Sequence, residues 1–342
     1  MTFLGQQIFN MMRNFFTNRL STLCILWGIL FIFSGFSIYL LTALIGFLRA
    51  LAAFFIPINK IFLVYTMWYS ALPVVFGFLL IFFDLFFVVN LKRDTKKTIL
   101  QKIKNKSVTV VLTAYNDEKS IGLSVKDFLG HKFVKRVIVV SNNSQDNTMV
   151  VARKTGAIVF NETLQGYGAC VYRALAEGLK CNDSEIICLC EGDMTFRSAD
   201  LEKFMSYIDH ADIVNGTRIV DQLQEAGTQI TTFIHYGNFA VAKLLESKYL
   251  GSVTLTDVGT TYKVIRKSSL KKLLPKLNKN INLEFNPHFL EEAIKNNFSI
   301  VECPINFYPR VGVSKGGNVS NQIAFNLGLR MIRGIIFGWK KS

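Results

Sequence analysis

Motifs built from histidine or paired cysteine are scarce in this sequence. Its four histidines form no motif, and none of its six cysteines shows Cys-x-x-Cys spacing. The sequence therefore gives no sign of a zinc ribbon or a dithiol redox site. We expect all six cysteines, at positions 24, 170, 181, 188, 190 and 303, to be small buried hydrophobic residues. Cys188 and Cys190 share one face of a predicted strand, so a metal site there is the alternative, although no histidine is near them in sequence.

Acidic residues are few compared with basic ones. The chain has 24 Asp and Glu against 39 Lys and Arg, which gives a net charge of +15. Such a charge suits a nucleic acid or an anionic membrane surface. Because the sequence shows no basic module with interleaved aromatic residues, we expect no nucleic-acid partner. A basic collar beside a membrane is the simpler interpretation.

Two long stretches have no charged residue. Residues 20–48 and 61–83 each exceed the roughly 20 residues that cross a ~30 Å hydrocarbon core. They predict a hairpin of two transmembrane helices, at about residues 20–48 and 61–89, in a membrane-anchoring region of residues 1–98. A cleaved signal peptide is not expected, because the first run is too long and no small-residue cleavage site follows it. Asp84 is expected at the lipid headgroups, with a functional intramembrane charge as the alternative.

Lysine and arginine are distributed unevenly around these stretches. Two precede the first stretch, two lie in the connection, and seven follow the second between residues 92 and 106. By the positive-inside rule, the N-terminus and everything after about residue 90 are cytoplasmic. We expect an integral protein of the plasma (inner) membrane or its equivalent.

Short β-branched segments alternate with helical segments after residue 106. Strands are predicted at residues 107–113, 134–140, 157–160, 186–190, 211–214 and 304–308. This alternation predicts an α/β fold with a doubly wound, mostly parallel sheet. In such sheets ligands bind at the carboxyl ends of the strands, which here are followed by polar residues.

Two acidic residues, Glu191 and Asp193, directly follow the buried strand at 186–190. Carboxylates at the mouth of a buried strand need a counter-charge, such as a divalent metal or a basic partner. The hard cations Mg²⁺ and Mn²⁺ suit an oxygen-rich, half-open site of this kind. The alternative is a solvated acidic turn.

Six short motifs resemble, in their order, those of family 2 glycosyltransferases, in the branch of dolichol-phosphate mannose synthase and the polyprenyl-phosphate glycosyltransferases. The motifs are Ala114-Tyr115-Asn116-Asp117-Glu118, Ser141 to Thr148, Glu191-Gly192-Asp193, Asn215-Gly216-Thr217-Arg218, Asp257 to Tyr262 and Arg310 to Lys315. Their family counterparts are Pro-x-Tyr-Asn-Glu-Glu, Asp-Asp-Gly-Ser-x-Asp-Gly-Thr, Asp-x-Asp, Gly-Ser-Arg, Asp-x-x-x-Gly-Phe and Arg-x-x-Gly-x-Ser-Lys. The resemblance implies a GT-A nucleotide-sugar fold for residues 99–320.

The resemblance also implies roles for individual residues. Asp193, Arg310 and Asp257 are the implied catalytic residues, and Asp193 with Glu191 would hold Mg²⁺ or Mn²⁺. A UDP- or GDP-linked sugar donor would contact Ala114, Tyr115, Asp117, Asn142, Asp146, Gly168, Glu191 and Lys315, and Arg218 would hold the phosphate of a lipid acceptor.

Several of these positions have alternative interpretations. Asn142 replaces the base-contacting Asp of the family, and Glu191 is one methylene longer than the first acid of Asp-x-Asp. Asp146 could instead cap a helix, and Gly168 could belong to a plain tight turn. Residues 311–318, with three glycines, predict a mobile loop that could close over the donor.

The implied reaction is the inverting, metal-dependent transfer of a sugar to an undecaprenyl or dolichyl phosphate at the cytoplasmic membrane face. One alternative acceptor is a hydroxyl of a glycolipid or diacylglycerol, for which Asp257 is the candidate base. Another alternative is a non-catalytic scaffold on the same fold. The Gln-x-x-Arg-Trp motif of processive polysaccharide synthases is missing.

Two further helices are predicted in the second half of the chain. Residues 231–249 carry an apolar stripe that would dock on the sheet or touch the membrane. Residues 321–342 mix apolar and basic residues, which is typical of an amphipathic helix in the headgroup plane. A core-packing helix is the alternative for this tail. No feature of the sequence indicates an oligomeric state.

Overall fold

The structure is a computed structural model, and it describes residues 3–51, 60–88, 101–249, 253–312 and 320–339. Lys315 and most of the predicted loop at 311–318 lie outside the described residues, as do the predicted boundary at residue 98 and the chain end at 340–342. The chain divides into two compact units, Met1–Thr95 with Ser247–Ser252 and Lys96–Glu246 with Val253–Ser342.

The first unit is helical. Its elements are α1 (Phe3–Leu51), α2 (Lys60–Tyr69) and α3 (Ala71–Phe83), which continues into a π-helical turn at Asp84–Val88. Within it, Leu23–Ala50 and Phe62–Val88 are long and apolar enough to cross a membrane, judged by length and composition. Helices α1 and α3 pack through aromatic contacts such as Phe31 on Phe76, with ring centroids 5.1 Å apart. Asp84 is fully buried.

The second unit is built on a seven-stranded mixed sheet. Its strands are β1 (Val108–Ala114), β2 (Val134–Ser141), β3 (Ile158–Asn161), β4 (Ile186–Glu191), β5 (Ile213–Thr217), β6 (Lys263–Arg266) and β7 (Ile300–Pro304), in the spatial order β3-β2-β1-β4-β6-β5-β7. Strand β6 runs antiparallel to its neighbours β4 and β5, and the other adjacent pairs are parallel. The predicted doubly wound, mostly parallel α/β sheet is therefore confirmed.

Helices connect and flank these strands. They are α4 (Ile121–Leu129), α5 (Thr148–Lys154), α6 (Tyr167–Leu179), α7 (Leu201–Tyr207), α8 (Thr232–Lys248), α9 (Lys267–Leu273), α10 (Phe285–Lys295) and α11 (Asn321–Phe337). Every residue of β1 is buried, as expected for a β-branched strand covered on both faces. Aromatic rings fill the core beneath the sheet, where Phe204 and Tyr262 lie 4.7 Å apart by ring centroid.

Two predicted strands have other bounds in the structure, and one strand was not predicted. The last strand is Ile300–Pro304 rather than residues 304–308, because residues 300–304 are the ones that pair with β5. The strand predicted at 211–214 is Ile213–Thr217, so the motif ending in Arg218 begins inside a strand. Strand β6 was not predicted, since its four residues include two with basic side chains. The helix predicted at 231–249 is α8, in which the buried apolar residues are Val241, Ala242 and Leu245, whereas Phe233 is exposed.

Candidate active site

Parallel pairing brings three predicted motifs to one edge of the sheet. In the registers of β1 with β2 and β4, Ala114 pairs with Ser141 and Thr113 pairs with Glu191. The first, second and third motifs therefore follow neighbouring strands at their carboxyl ends. This is the edge where ligands of open α/β sheets bind.

A cavity of about 630 Å³ opens at this edge. One end is polar, and its lining includes Tyr115, Asp117, Asn142, Glu191, Asp193, Arg218 and Arg310. The other end is apolar and is lined from α8 and α11, by Phe233, Ile234, Val241, Phe325, Leu329 and Ile332 among others. The ring centroids of Phe233 and Phe325 lie 6.4 Å apart across this end. The cavity therefore has a charged part and an apolar part.

Arg310 joins two carboxylates at the polar end. Its Nη2 lies 2.7 Å from Asp117 Oδ1 and its Nη1 lies 3.0 Å from Asp193 Oδ2. The Val311 N–H donates to the Asp193 carbonyl oxygen at 3.0 Å, which fixes the segment that carries the arginine. Burial raises the pKa of Asp117, and Arg310 opposes that rise. The three side chains form one charge-assisted cluster.

Asp193 is held by the turn that follows β4. Its Oδ1 accepts from the N–H of Thr195 at 3.0 Å and from the Thr195 hydroxyl at 2.5 Å. The intervening Met194 has φ = +67°, a left-handed conformation that is uncommon for a side chain of this size. The turn leaves Asp193 Oδ2 directed at Arg310 and at the cavity.

Glu191 stands at the end of a hydrogen-bonded chain. Asn286 Nδ2 donates to the Tyr167 hydroxyl at 3.1 Å, Tyr167 bonds to the hydroxyl of Thr261, and Thr261 donates to Glu191 Oε1 at 2.6 Å. Burial, and then the charge of Asp193, raise the pKa of Glu191 to about 7. We name Asn286, Tyr167 and Thr261 the hydroxyl chain. It orients the first acid of the acidic pair.

Asp257 and Arg218 form a buried ion pair beside this chain. Arg218 Nε donates to Asp257 Oδ2 at 2.7 Å, and Arg218 Nη2 donates to Oδ1 at 2.9 Å. Four more donors reach the same carboxylate: the N–H groups of Arg218, Gly259 and Thr260 and the Asn238 side chain. Burial alone would raise the pKa of Asp257, but Arg218 and these donors lower it to about 2.

Comparison with known proteins relates the domain to glycosyltransferases. Residues 109–274 match the family model for glycosyl transferase family 2. This segment, just under half of the chain, is similar to the members of that family. The glycosyltransferase is 28% identical over 227 residues to an uncharacterised protein of Methanocaldococcus jannaschii, covering 64% of this chain and 89% of the relative. It is also 28% identical over 209 residues to the dolichyl-phosphate hexose transferase of Haloferax volcanii, covering 61% and 86%.

Solved structures support the fold of the glycosyltransferase. Glucosyl-3-phosphoglycerate synthase from Mycobacterium tuberculosis, in complex with Mn²⁺ and UDP-glucose, superposes with a TM-score of 0.51 at 15% identity, over 68% of this chain and 80% of that one. The same synthase with Mg²⁺ and UDP gives a TM-score of 0.50. At this identity the likeness shows the nucleotide-sugar fold alone.

Some predicted site residues of the glycosyltransferase lie together, and others do not. Ala114, Tyr115 and Asn142 line the cavity with the acidic cluster. Asp146 is not among the lining residues, and it accepts from the N–H of Thr148, the first residue of α5, and from the N–H of Glu118.

Gly168 also lies outside the cavity lining, and its contact with the donor stays a prediction. A Cβ atom there would lie 1.8 Å from the Ile281 carbonyl oxygen, so glycine allows close packing of α6. The two residues of the alternative metal site, Cys188 and Cys190, are fully buried in β4, and neither belongs to a metal-binding group among the described residues.

The carboxylates of the site can hold a divalent cation only if a bound ligand supplies further oxygen atoms. Within the described ranges, no group of three or more His, Cys, Asp or Glu side chains could hold a metal ion. Asp193 and Glu191 can offer at most two carboxylates from neighbouring positions. Mg²⁺ and Mn²⁺ are commonly bound in this way, by one or two carboxylates together with phosphate oxygens and water. The residues therefore fit a metal that arrives with a nucleotide diphosphate.

Three residues of the site have no place in the sequence prediction. Tyr167, Asn238 and Asn286 each contact a residue of the motif Asp257 to Tyr262, and all three line the cavity. Tyr167 directly precedes Gly168, which was the only predicted site residue near it in the sequence. Asn238 and Asn286 lie in helices without a recognisable motif.

Proposed function

We propose that the protein is an inverting glycosyltransferase that moves a sugar from a nucleotide diphosphate to a polyprenyl phosphate, with Mg²⁺ or Mn²⁺. The observation that carries this proposal is the two-ended cavity, with Asp117, Asp193 and Arg310 at one end and an apolar lining from α8 and α11 at the other. A charged sugar donor and a lipid acceptor need those two environments side by side.

The polar end suits the donor. Tyr115 and Asp117 follow β1, where a nucleoside can reach them, and Arg310 carries a guanidinium fork that matches diphosphate oxygens. Asp193 and Glu191 would hold the metal, which when bound stabilises the negative charge that gathers on the departing diphosphate. Arg310 can add to that stabilisation from its position 3.0 Å from Asp193.

The residues near the proposed acceptor position favour a phosphate acceptor over a hydroxyl acceptor. A hydroxyl acceptor requires a base, and Asp257 is the carboxylate that the resemblance places near the acceptor. Its two oxygens already accept six hydrogen bonds, and its pKa is lowered to about 2, so it is a poor proton acceptor at neutral pH. A lipid phosphate is already largely dianionic at pH 7 and attacks without a base. Its single displacement of the diphosphate inverts the anomeric carbon.

Arg218 is the proposed contact for the acceptor phosphate. Asp257 holds its guanidinium at Nε and Nη2, and the residue lines the cavity beside Phe307, whose ring centroid lies 5.3 Å from Arg218 Cζ. A guanidinium whose position is fixed loses little conformational entropy when it binds phosphate. We therefore assign Asp257 to the positioning of Arg218.

A membrane location agrees with a lipid acceptor. Leu23–Ala50 and Phe62–Val88 have the length and composition of spanning helices, and the basic residues after them support a cytoplasmic glycosyltransferase domain. Helix α11 carries exposed Ile323, Phe325 and Leu329 with Arg330 and Arg333, which suits a helix in the headgroup plane. The proposed organisation is a membrane anchor at 1–98, a transferase domain at 99–320 and an interfacial helix at 321–342. The name of the Haloferax volcanii relative, a dolichyl-phosphate hexose transferase, supports the lipid class.

Direct assay of transfer tests this function. The full-length protein in detergent would be incubated with Mn²⁺, labelled UDP- and GDP-sugars, and either undecaprenyl phosphate, dolichyl phosphate or diacylglycerol. We expect labelled lipid only with a lipid phosphate, metal-dependent and lost in Asp193→Asn. Transfer to diacylglycerol with none to either lipid phosphate would overturn the proposal.

A further inference from the structure

Asn142 follows β2 directly and is almost fully buried in the wall of the cavity, with 5% of its surface exposed. It stands where the resemblance expects an aspartate that contacts the base of the donor. The next strand ends at Asn161, and residues 162–166 then run along the same wall to the start of α6. We call residues 162–166 the wall segment.

The side chain of Asn142 is bonded entirely to the wall segment. Its Nδ2 donates to the carbonyl oxygens of Glu162 and Leu164 at 3.2 and 2.9 Å. Its Oδ1 accepts from the Gly166 N–H at 2.8 Å and lies 3.4 Å from Gln165 Nε2. A carboxamide has two donors and two acceptor lone pairs, so these contacts use its full capacity.

These partners also fix which way the carboxamide points. A backbone carbonyl can only accept and a backbone N–H can only donate, so Nδ2 must face Glu162 and Leu164, and Oδ1 must face Gly166. An aspartate in this orientation would place an oxygen 2.9 to 3.2 Å from two carbonyl oxygens. The asparagine is therefore matched to the wall segment, and a carboxylate is not.

Gln165 is the member of the wall segment whose exposed side chain lines the cavity. Its Nε2 is directed at Asn142 Oδ1, which leaves Gln165 Oε1 on the other side of the carboxamide. An amide oxygen accepts hydrogen bonds and cannot donate them. It suits a base edge with an imino N–H, such as N3–H of uracil or N1–H of guanine, and not the unprotonated ring nitrogen of cytosine or adenine.

We infer that Asn142 is a positioning residue that holds the wall segment, and that Gln165 reads the imino N–H of the donor base. This inference rests on the proposed nucleotide donor. It assigns to Gln165 the part that the family motif would give to the residue at 142. Restoring the family residue, by Asn142→Asp, then weakens nucleotide binding instead of improving it.

Calorimetry on the full-length protein in detergent, with Mn²⁺ and UDP, GDP, CDP or ADP, tests the inference without any turnover. We expect the wild type to bind UDP or GDP at least about tenfold more tightly than CDP and ADP, as one discriminating hydrogen bond provides. Gln165→Ala should remove most of that ratio, while Gln165→Glu, which keeps an acceptor, should retain it. If Gln165 had a merely structural role, Gln165→Ala would weaken the binding of all four nucleotides equally and leave the ratio of affinities unchanged.

The variant at 142 provides the second arm. Asn142→Asp should weaken the preferred nucleotide by roughly 10- to 100-fold, because two carbonyl oxygens would face a carboxylate. Equal or tighter binding by Asn142→Asp, or an unchanged base ratio in Gln165→Ala, overturns the inference. If Asn142→Asp does not fold, as judged by circular dichroism, the Gln165 pair decides alone. A wild type that binds none of the four nucleotides removes the proposed function and this inference with it, whereas binding without discrimination removes the inference only.

Discussion

Arg310 Nη1 lies 3.0 Å from Asp193 Oδ2, so the cationic side chain of one predicted catalytic residue contacts the carboxylate predicted to hold the metal. The same guanidinium also bonds to Asp117, at 2.7 Å. Any cation that approaches Asp193 Oδ2 must share this oxygen with Arg310 or displace it. The arginine therefore competes with a free metal ion, and a diphosphate that attracts the arginine would relieve that competition.

Replacing Arg310 should separate metal binding from turnover. In Arg310→Ala we expect Mn²⁺ alone to bind about tenfold more tightly, because a competing cation is gone, while kcat falls by a factor on the order of 100 through loss of a charge-assisted contact to the donor. Isothermal titration with Mn²⁺ and the transfer assay measure the two effects.

Arg197→Ala is a matched control for that experiment. It also removes one positive charge, but Arg197 lies over the ring of Tyr308, 4.1 Å from its centroid. Its Mn²⁺ affinity should stay near that of the wild type. Equal affinities in Arg310→Ala and the wild type would contradict competition at Asp193.

Replacing Asp257 should weaken binding of the lipid acceptor rather than remove a general base. Asp257→Asn leaves Arg218 buried without its counter-charge, and breaking such a pair costs about 3–5 kcal/mol of unfolding free energy. We expect the KM for lipid phosphate to rise at least about tenfold, with the shape of the kcat profile against pH unchanged.

Asp221→Asn makes the same chemical change at an exposed aspartate and should leave both constants unchanged. A base at position 257 predicts another pattern for Asp257→Asn: kcat falls by about 100-fold or more and the acceptor KM stays constant. Steady-state kinetics over pH 5.5 to 9 distinguish the two outcomes.

The fold could be predicted because its signals are local. The buried strand at 186–190 and the alternation of strands with helices each occupy a few consecutive residues, and the parallel sheet follows from them. Strand β6 escaped prediction because Lys263, a residue typical of surfaces, is fully buried in it. A strand of four residues is also too short to show a clear alternation of apolar and polar residues.

The contacts within the site depend on distant pairs that no local pattern contains. Arg310 and Asp117 are 193 residues apart, and Tyr167 and Thr261 are 94 residues apart. The motifs predicted which residue types lie at the cavity. They could not predict that Asp257 is saturated with donors or that Asn142 is bonded to the wall segment, since both facts arise from tertiary packing.

We expect the hydroxyl chain to be needed for efficient reaction with the sugar nucleotide. Thr261→Val removes the donor to Glu191 Oε1 and leaves a buried carboxylate short of one hydrogen bond, at a cost of about 1–3 kcal/mol. We expect kcat/KM for the sugar nucleotide to fall by roughly 10-fold or more. Thr261→Ser retains the hydroxyl and should stay within about threefold of the wild type. A loss in Thr261→Ser as large as in Thr261→Val would show that the methyl group, not the hydroxyl, matters.

Tyr167→Phe tests the next link of the chain. The variant keeps the ring but removes the hydroxyl between Asn286 and Thr261. If that hydroxyl orients Thr261, the loss in kcat/KM for the donor should be smaller than in Thr261→Val. The double variant should then lose little more than Thr261→Val alone, because both changes break one chain. Additive losses would contradict a connected chain.

Lys263 should make the stability of the glycosyltransferase domain depend on pH. The side chain is fully buried in β6, where its Nζ bonds to the Thr260 carbonyl oxygen and lies 3.3 Å from Asn286 Oδ1. Burial lowers the pKa of Lys263 from 10.5 to about 7, although nearby Asp257 opposes this shift. Between these two values the unfolded chain carries a proton on Lys263 that the folded chain does not.

The unfolding free energy should therefore rise with pH from about 7 to about 10.5, by up to ~1.4 kcal/mol per pH unit, and this increment is absent below pH 7, where both states are protonated. Lys263→Met should remove that slope, whatever constant change follows from the lost hydrogen bonds. Lys271→Met, a matched change at an exposed residue of α9, should keep it. Denaturant unfolding of the full-length protein in detergent, followed by tryptophan fluorescence at several pH values, measures the slopes. Parallel curves for the wild type and Lys263→Met would show that Lys263 stays charged in the folded protein.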